Sequence, residues 1–164
     1  FIKTIGGFYK LKANEIVVKL EFNSNFSNDS LKTISISDHS KWKKISKKPK
    51  LLQGKWLMAG RVIENNERRR DITKSRKTMK ILIDGYFQWI AFNTSNFRFS
   101  GTGGGSYSVE NGKYIETIDY FSRDNKKVGV SLSFNYLKNG NDWYHRGFSS
   151  KGDPLHEIWA FRNP

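Results

Sequence analysis

The sequence predicts an all-β chain: an antiparallel up-and-down barrel of eight strands, preceded by a partial repeat of three to four strands. Three observations carry that expectation. Short runs of alternating apolar and polar residues are separated by turn residues along most of the chain, and helix signals are scarce. Asp84-Gly85, Asn111-Gly112 and Asn139-Gly140 each lie between such runs and supply the positive φ of two-residue hairpin turns. Residues near the N-terminus recur at an offset of 98 in the second half of the chain.

Composition bounds the rest. A length of 164 residues is a prior for one domain or one and a fraction. The net charge is +14, but 37% apolar and 15% aromatic residues supply burial partners, so intrinsic disorder is excluded. No apolar run is long enough to span a bilayer, and Phe1 to Gly7 lacks the charged start and apolar stretch of a signal peptide. Zero cysteines exclude disulfides, thiolate zinc sites and a cysteine nucleophile.

Reading outward from the turns places strands near 54–63, 77–84, 86–93, 97–109, 113–122, 127–137, 142–148 and 155–162. Eight antiparallel strands close a barrel whose interior fills with side chains or holds one small ligand. Residues 49–164 are therefore expected to form a complete barrel. Upstream, Gly6-Gly7-Phe8-Tyr9, the strand Ile16 to Phe22 and Ser24 align with Gly104-Gly105-Ser106-Tyr107, the strand Tyr114 to Tyr120 and Ser122. Lys41-Trp42-Lys43-Lys44-Ile45 reads as a closing strand before the polar connector Ser46 to Lys50, with Trp42 matching Trp159 at an offset of 117 in preference to Trp143 at 101. Residues 1–48 are thus expected to hold the last strands of a first barrel that begins in mid-architecture, its upstream part removed.

Gly54-Lys55-Trp56, opening the complete unit, resembles the Gly-x-Trp of lipocalins and other calycins. That resemblance implies an indole packed across the barrel end beneath a late basic residue, here Arg162. A longer match runs through Gly60-Arg61, Thr78 to Leu82, Phe87 to Ala91, Gly101 to Gly105, Phe121 to Asn125 and Ser149 to Gly152. It resembles a family of exported bacterial lipocalin-like proteins of unknown function, with two-unit members. The resemblance implies a secreted, periplasmic or cell-surface location and no catalytic residues.

Side chains alternate across a strand, so the repeat serves as a ruler for the interior. Ile16, Val18, Leu20 and Phe22 form the apolar face of the first copy, which transfers to Tyr114, Glu116, Ile118 and Tyr120 as the inward set. Glu116 then points into the lumen, where a carboxylate needs a partner or a wet cavity. Either Trp143 and His145, or Tyr144 and Arg146, face it. Two readings stay open: Glu116 pairs with an inward Lys or Arg in a filled interior, or it orients a ligand in an aromatic-lined cavity. The candidate ligand-binding residues are Glu116, Tyr114, Tyr120, His145, Phe134 and Tyr136. His39, His145 and His156 lack metal spacing, so no metal site is expected, and no cofactor.

The glycine run 101–105 leads into another strand rather than a helix, which argues against phosphate binding and for a bulge or a close approach. From Lys41 to Lys80 there are fifteen basic and three acidic residues, a net of +12. This basic segment, with Lys43, Lys44, Lys47, Lys48, Arg68, Arg69 and Arg70, reads as a solvated linker and loop or as a patch for an anionic polymer or a protein partner. Nucleic acid is disfavoured because the aromatic residues lie elsewhere. The leading expectation is a non-enzymatic exported protein holding a small amphipathic or saccharide-like ligand. The alternatives are an interaction module, self-associating through exposed strand edges or engaging a partner, and an enzyme acting on sugar or lipid with Glu116 and His145 as acid and base.

Overall fold

The computed structural model describes residues 1–38, 42–43 and 50–163 of the chain. Lys44, Lys47 and Lys48, and most of the closing strand expected at 41–45, lie outside that range. Trp42 is described and is not in a strand.

An antiparallel sheet comes first, with β1 (Ile5–Lys12), β2 (Glu15–Asn23) and β3 (Thr33–Ile36) in that order. A single helical turn, α1 (Phe26–Asp29), joins β2 to β3. Asn23 knits this connection together: its amide donates to Asp29 Oδ1 at 2.6 Å, and its Oδ1 accepts from the Asn25 backbone at 2.9 Å.

The barrel follows as β4 (Gly54–Ile63), β5 (Asn66–Arg69), β6 (Arg76–Ile83), β7 (Tyr86–Asn93), β8 (Phe99–Glu110), β9 (Lys113–Phe121), β10 (Ser131–Asn139), β11 (Asp142–Phe148) and β12 (Pro154–Phe161). From β6 to β12 each strand pairs antiparallel with the next, β4 pairs with β6, and β12 returns to β4, so eight strands close on themselves. Closure leaves these strands without a free edge along most of their length. The strand positions agree with the turn-based reading in all eight cases. The start of β10 is later than expected because Asn125–Lys127 forms a 3-10 turn, capped by the Asp124 side chain accepting from the Lys126 N–H.

β5 was not expected. All four of its residues are exposed, so it has no apolar alternation to read. It pairs with the second half of β4, Gly60–Ile63, whereas β6 pairs with the first half, Gly54–Leu57. The wall therefore parts where β4 leaves β6 for β5.

One barrel end is plugged. Trp56 is 1% exposed, donates from Nε1 to Leu52 O at 2.8 Å, and meets Trp143 and Phe161 edge-on. Gly54 is required beside it, since a Cβ there would enter the Phe161 ring. The basic residue implied above Trp56 is not there. Arg162 follows Phe161, and alternation that turns Phe161 inward turns Arg162 out. Its guanidinium forms two hydrogen bonds with Glu21, at 2.8 and 2.7 Å, and lies over the Phe8 ring.

That pair fastens the small sheet to the outer wall. Phe22 packs with Leu57, Met79, Ile90 and Phe92, outward-facing residues of β4, β6 and β7. Phe1 stacks on Phe99, and Phe26 stacks on Phe97. These three barrel strands are thus covered on both faces.

The two hairpins aligned at an offset of 98 share a local geometry. The β1–β2 register slips between Gly6 and Gly7, and the β8–β9 register slips between Gly104 and Gly105. A Cβ on Gly7 would strike the Lys19 carbonyl oxygen, and one on Gly105 the Thr117 carbonyl oxygen. Gly6 lies against the Phe22 ring, as Gly104 lies against that of Tyr120.

Candidate functional site

At the end opposite Trp56 the barrel holds a cavity of about 640 Å³, within the range of small-ligand sites. Its walls come from alternate positions of the strands: Met58 on β4, Trp89 on β7, Ile118 and Phe121 on β9, and Leu132 and Phe134 on β10. Trp89 and Phe121 meet edge-on at 5.5 Å.

The floor is polar and buried. Lys80 Nζ donates to Glu116 Oε1 at 2.5 Å, and the Tyr114 hydroxyl donates to the same oxygen at 2.7 Å. Both side chains of the ion pair are under a tenth exposed. The ammonium also lies 5.1–5.9 Å from the ring centroids of Trp159, Trp143, Tyr114 and Phe87, an aromatic cage that adds cation–π attraction. Burial first, then the Glu116 charge, raises the Tyr114 hydroxyl well above its ordinary value, so it remains a donor. The Lys80 and Tyr114 bonds both fall on Oε1, and Glu116 borders the cavity.

Beside this pair stand His145 and Glu157, opposite each other on β11 and β12. His145 is 2% exposed, and neither of its ring nitrogens makes a hydrogen bond among the described residues. Nδ1 lies 3.4 Å from Glu157 Oε2. Burial and the Lys80 charge push His145 below its ordinary value, so the ring is neutral at pH 7. Burial would raise Glu157, but the His145 ring, Lys80 and the Trp159 indole N–H, 3.1 Å away, together bring it below the usual carboxylate value. Both ring nitrogens are buried, Nδ1 facing the Glu157 carboxylate, while the ring itself borders the cavity.

Four of the six residues expected to bind ligand are gathered here: Glu116, His145 and Phe134 line the cavity, and Tyr114 supports Glu116 from below. Trp143 and His145 are the inward pair on β11, and Arg146 is exposed outside. Tyr120 is not in the site. Asp119 is left unpaired at the Gly104/Gly105 slip, which swaps the faces beyond it, so Phe121 enters the cavity and Tyr120 stacks outside on Phe1. Tyr136 is half-buried against the core and does not border the cavity.

The basic patch is also divided. Arg68 and Arg70 line the cavity mouth, whereas Arg69 points away, bonding Glu67 at 2.7 Å and Asp142 at 2.8 Å on the outer surface. Lys43 is exposed. Arg61, Arg76 and Arg123 complete the mouth and were not singled out beforehand. The available signal was positional: Arg61 and Arg76 lie at the open ends of β4 and β6, and Arg123 lies two residues beyond Phe121. Among the described residues no group of three or more His, Cys, Asp or Glu side chains could hold a metal ion.

A single up-and-down meander of eight strands, closed by its first and last members, plugged by Trp56 at one end and open at the other, decides the fold. The barrel is lipocalin-like. The chain is similar in structure to a crystallised lipocalin-like protein from Bacteroides uniformis ATCC 8492, with 13% identity over 68% of this chain and 98% of that one, at a TM-score of 0.46. No family model matches the sequence, and no curated protein matches it. No helix among the described residues is long and apolar enough to cross a membrane.

Proposed function

We propose that the protein is a binding protein whose barrel holds a small amphipathic or saccharide-like ligand. The observation that carries this reading is the open, largely apolar cavity lined by Trp89, Phe121, Leu132 and Phe134, with Glu116 on its floor. Apolar area supplies most of the affinity, at about 25 cal/mol per Å² removed from water, and the few polar groups fix orientation. Export to the periplasm or cell exterior belongs to the same reading, as does the view of residues 1–48 as a partial copy of the barrel. The shared bulges at an offset of 98 support the latter.

The test is a titration with N-phenyl-1-naphthylamine, a neutral dye of suitable size, alongside native mass spectrometry. One dye should bind per chain, saturably. Thr78 lines the cavity, so Thr78→Trp should weaken that binding by about tenfold or more as the indole fills the space. No saturable binding, or binding indifferent to Thr78→Trp, would end the proposal.

A further inference from the structure

The cavity mouth carries more positive charge than the site balances. Arg61, Arg68, Arg70, Arg76, Arg123 and Lys80 line the cavity against Glu116 and Glu157, six cations to two carboxylates, which leaves +4 with His145 neutral. None of the five arginines makes an ion pair among the described residues. Their hydrogen bonds go instead to neutral oxygens: Arg70 Nε to Met58 O at 2.5 Å, Arg76 to Ser100 Oγ at 3.0 Å, and Arg123 Nε to Ser100 O at 3.0 Å. Such bonds aim a guanidinium and leave its charge uncompensated. The side chains of Arg61 and Arg68 make no hydrogen bond among the described residues, so their forks stay available for a bidentate partner.

The arrangement is selective. On β5 the alternation sends Arg69 outward to Glu67 and Asp142, and Arg68 and the following Arg70 toward the mouth. A Cβ on Gly60 would reach the Arg68 carbonyl oxygen, so glycine there lets the arm lie against β4. Gly101 likewise makes room for the Arg123 guanidinium, which lies 5.8 Å from the Trp89 ring centroid. Burial, and then repulsion from Arg76 and Arg61, lowers Arg70 from its ordinary value, a sign that like charges crowd there.

We infer that the barrel takes an anionic amphiphile, its apolar body against Trp89, Ile118, Phe121 and Leu132, and its compact anionic head among Arg61, Arg70, Arg76 and Arg123 at the mouth. The inference rests on the pocket reading above and adds the charge of the ligand. A carboxylate, a sulfonate and a phosphate share the chemistry: a few oxygens, full charge, and a fit to the guanidinium fork.

Two dyes with one aromatic body separate the claims. N-phenyl-1-naphthylamine is neutral, and 8-anilinonaphthalene-1-sulfonate adds a sulfonate. In about 0.15 M salt the sulfonate should bind at least about tenfold more tightly, the worth of one charge-assisted hydrogen bond. Arg61→Gln with Arg76→Gln should bring the two dyes to within about threefold of each other, with the neutral dye unchanged. Arg146→Gln, on the exposed outer face, should change neither, which removes general attraction to a basic protein as the cause. Equal affinities in the unaltered protein, or a preference that survives Arg61→Gln/Arg76→Gln, overturns the anion assignment and leaves the pocket standing. No saturable binding of either dye overturns both. Soluble dodecanoate or dodecyl phosphate should displace the sulfonate dye where dodecanol at equal concentration does not. Sedimentation with phosphatidylglycerol vesicles without displacement by soluble amphiphiles would move the anion to a membrane surface and overturn the cavity site.

Discussion

At the residue scale the floor of the barrel stands on the Lys80–Glu116 pair. Removing one member leaves the other charged and dry, a loss of about 3–5 kcal/mol, whereas replacing both by uncharged groups of similar volume is close to neutral. Glu116→Gln should therefore lower the urea-unfolding stability by that amount, and Glu116→Gln with Lys80→Met should recover most of it. Near-additive losses in the double variant would show that the two charges are not coupled. His145 sets a second expectation. Its ordinary value is 6.5 and folding lowers it, so between the folded value and about 6.5 the unfolded chain binds more protons than the native one. Stability from this group is complete above pH 6.5 and is lost as pH falls toward the folded value, with a slope of at most about 1.4 kcal/mol per pH unit. Lys80, Glu116 and Glu157 are the charged groups that face the ring. His145→Gln should flatten the stability profile just below pH 6.5; an unchanged slope would assign it to other groups.

Among the elements, the glycines of β8 and those of the turns serve different ends. At Gly105 a side chain would run into the Thr117 carbonyl oxygen, whereas at Gly140, φ +57°, nothing lies within 4 Å. Gly105→Ala should cost about 3 kcal/mol or more and Gly140→Ala about 1 kcal/mol, read from unfolding midpoints. Similar losses at both would refute the close-approach argument. The Arg162–Glu21 contact supports a separate expectation: Arg162→Ala should raise amide exchange in β1 to β3 while β6 to β11 keep their protection. The strands themselves were legible because turn dipeptides and alternation are local signals. Register beyond a bulge was not. The glycine run 101–105 reads as a bulge or a close approach without saying which residue is left unpaired, and it is the unpaired Asp119 that swaps the faces and decides between Tyr120 and Phe121. The partner of Glu116 was hidden for another reason: β6 is buried on both sides, so Lys80 sits in a strand whose alternation is blurred by Met79 and Ile81, which the small sheet covers.

On the scale of the whole molecule, the eight-stranded closure was readable from strand number, and the inward direction of Glu116 from the internal alignment. Which arginines would converge was not, since Arg61, Arg70, Arg76 and Arg123 come from separate segments that only the closed wall brings together. The excess charge that looked like a property of one stretch of sequence is in part a property of the mouth. Closure also dictates when the chain can finish folding. Gly60 pairs with Ile158 across almost the whole length of the barrel sequence, whereas β1, β2 and β3 find one another within thirty-two residues, Ile5 to Ile36. The small sheet can assemble while the barrel strands are still being made, but its anchor Arg162 and the strand that seals the cylinder are synthesised after all the other strands. Until then the faces destined for the pocket are open to water and to other chains, the interval in which a strand-rich protein is most exposed to aggregation.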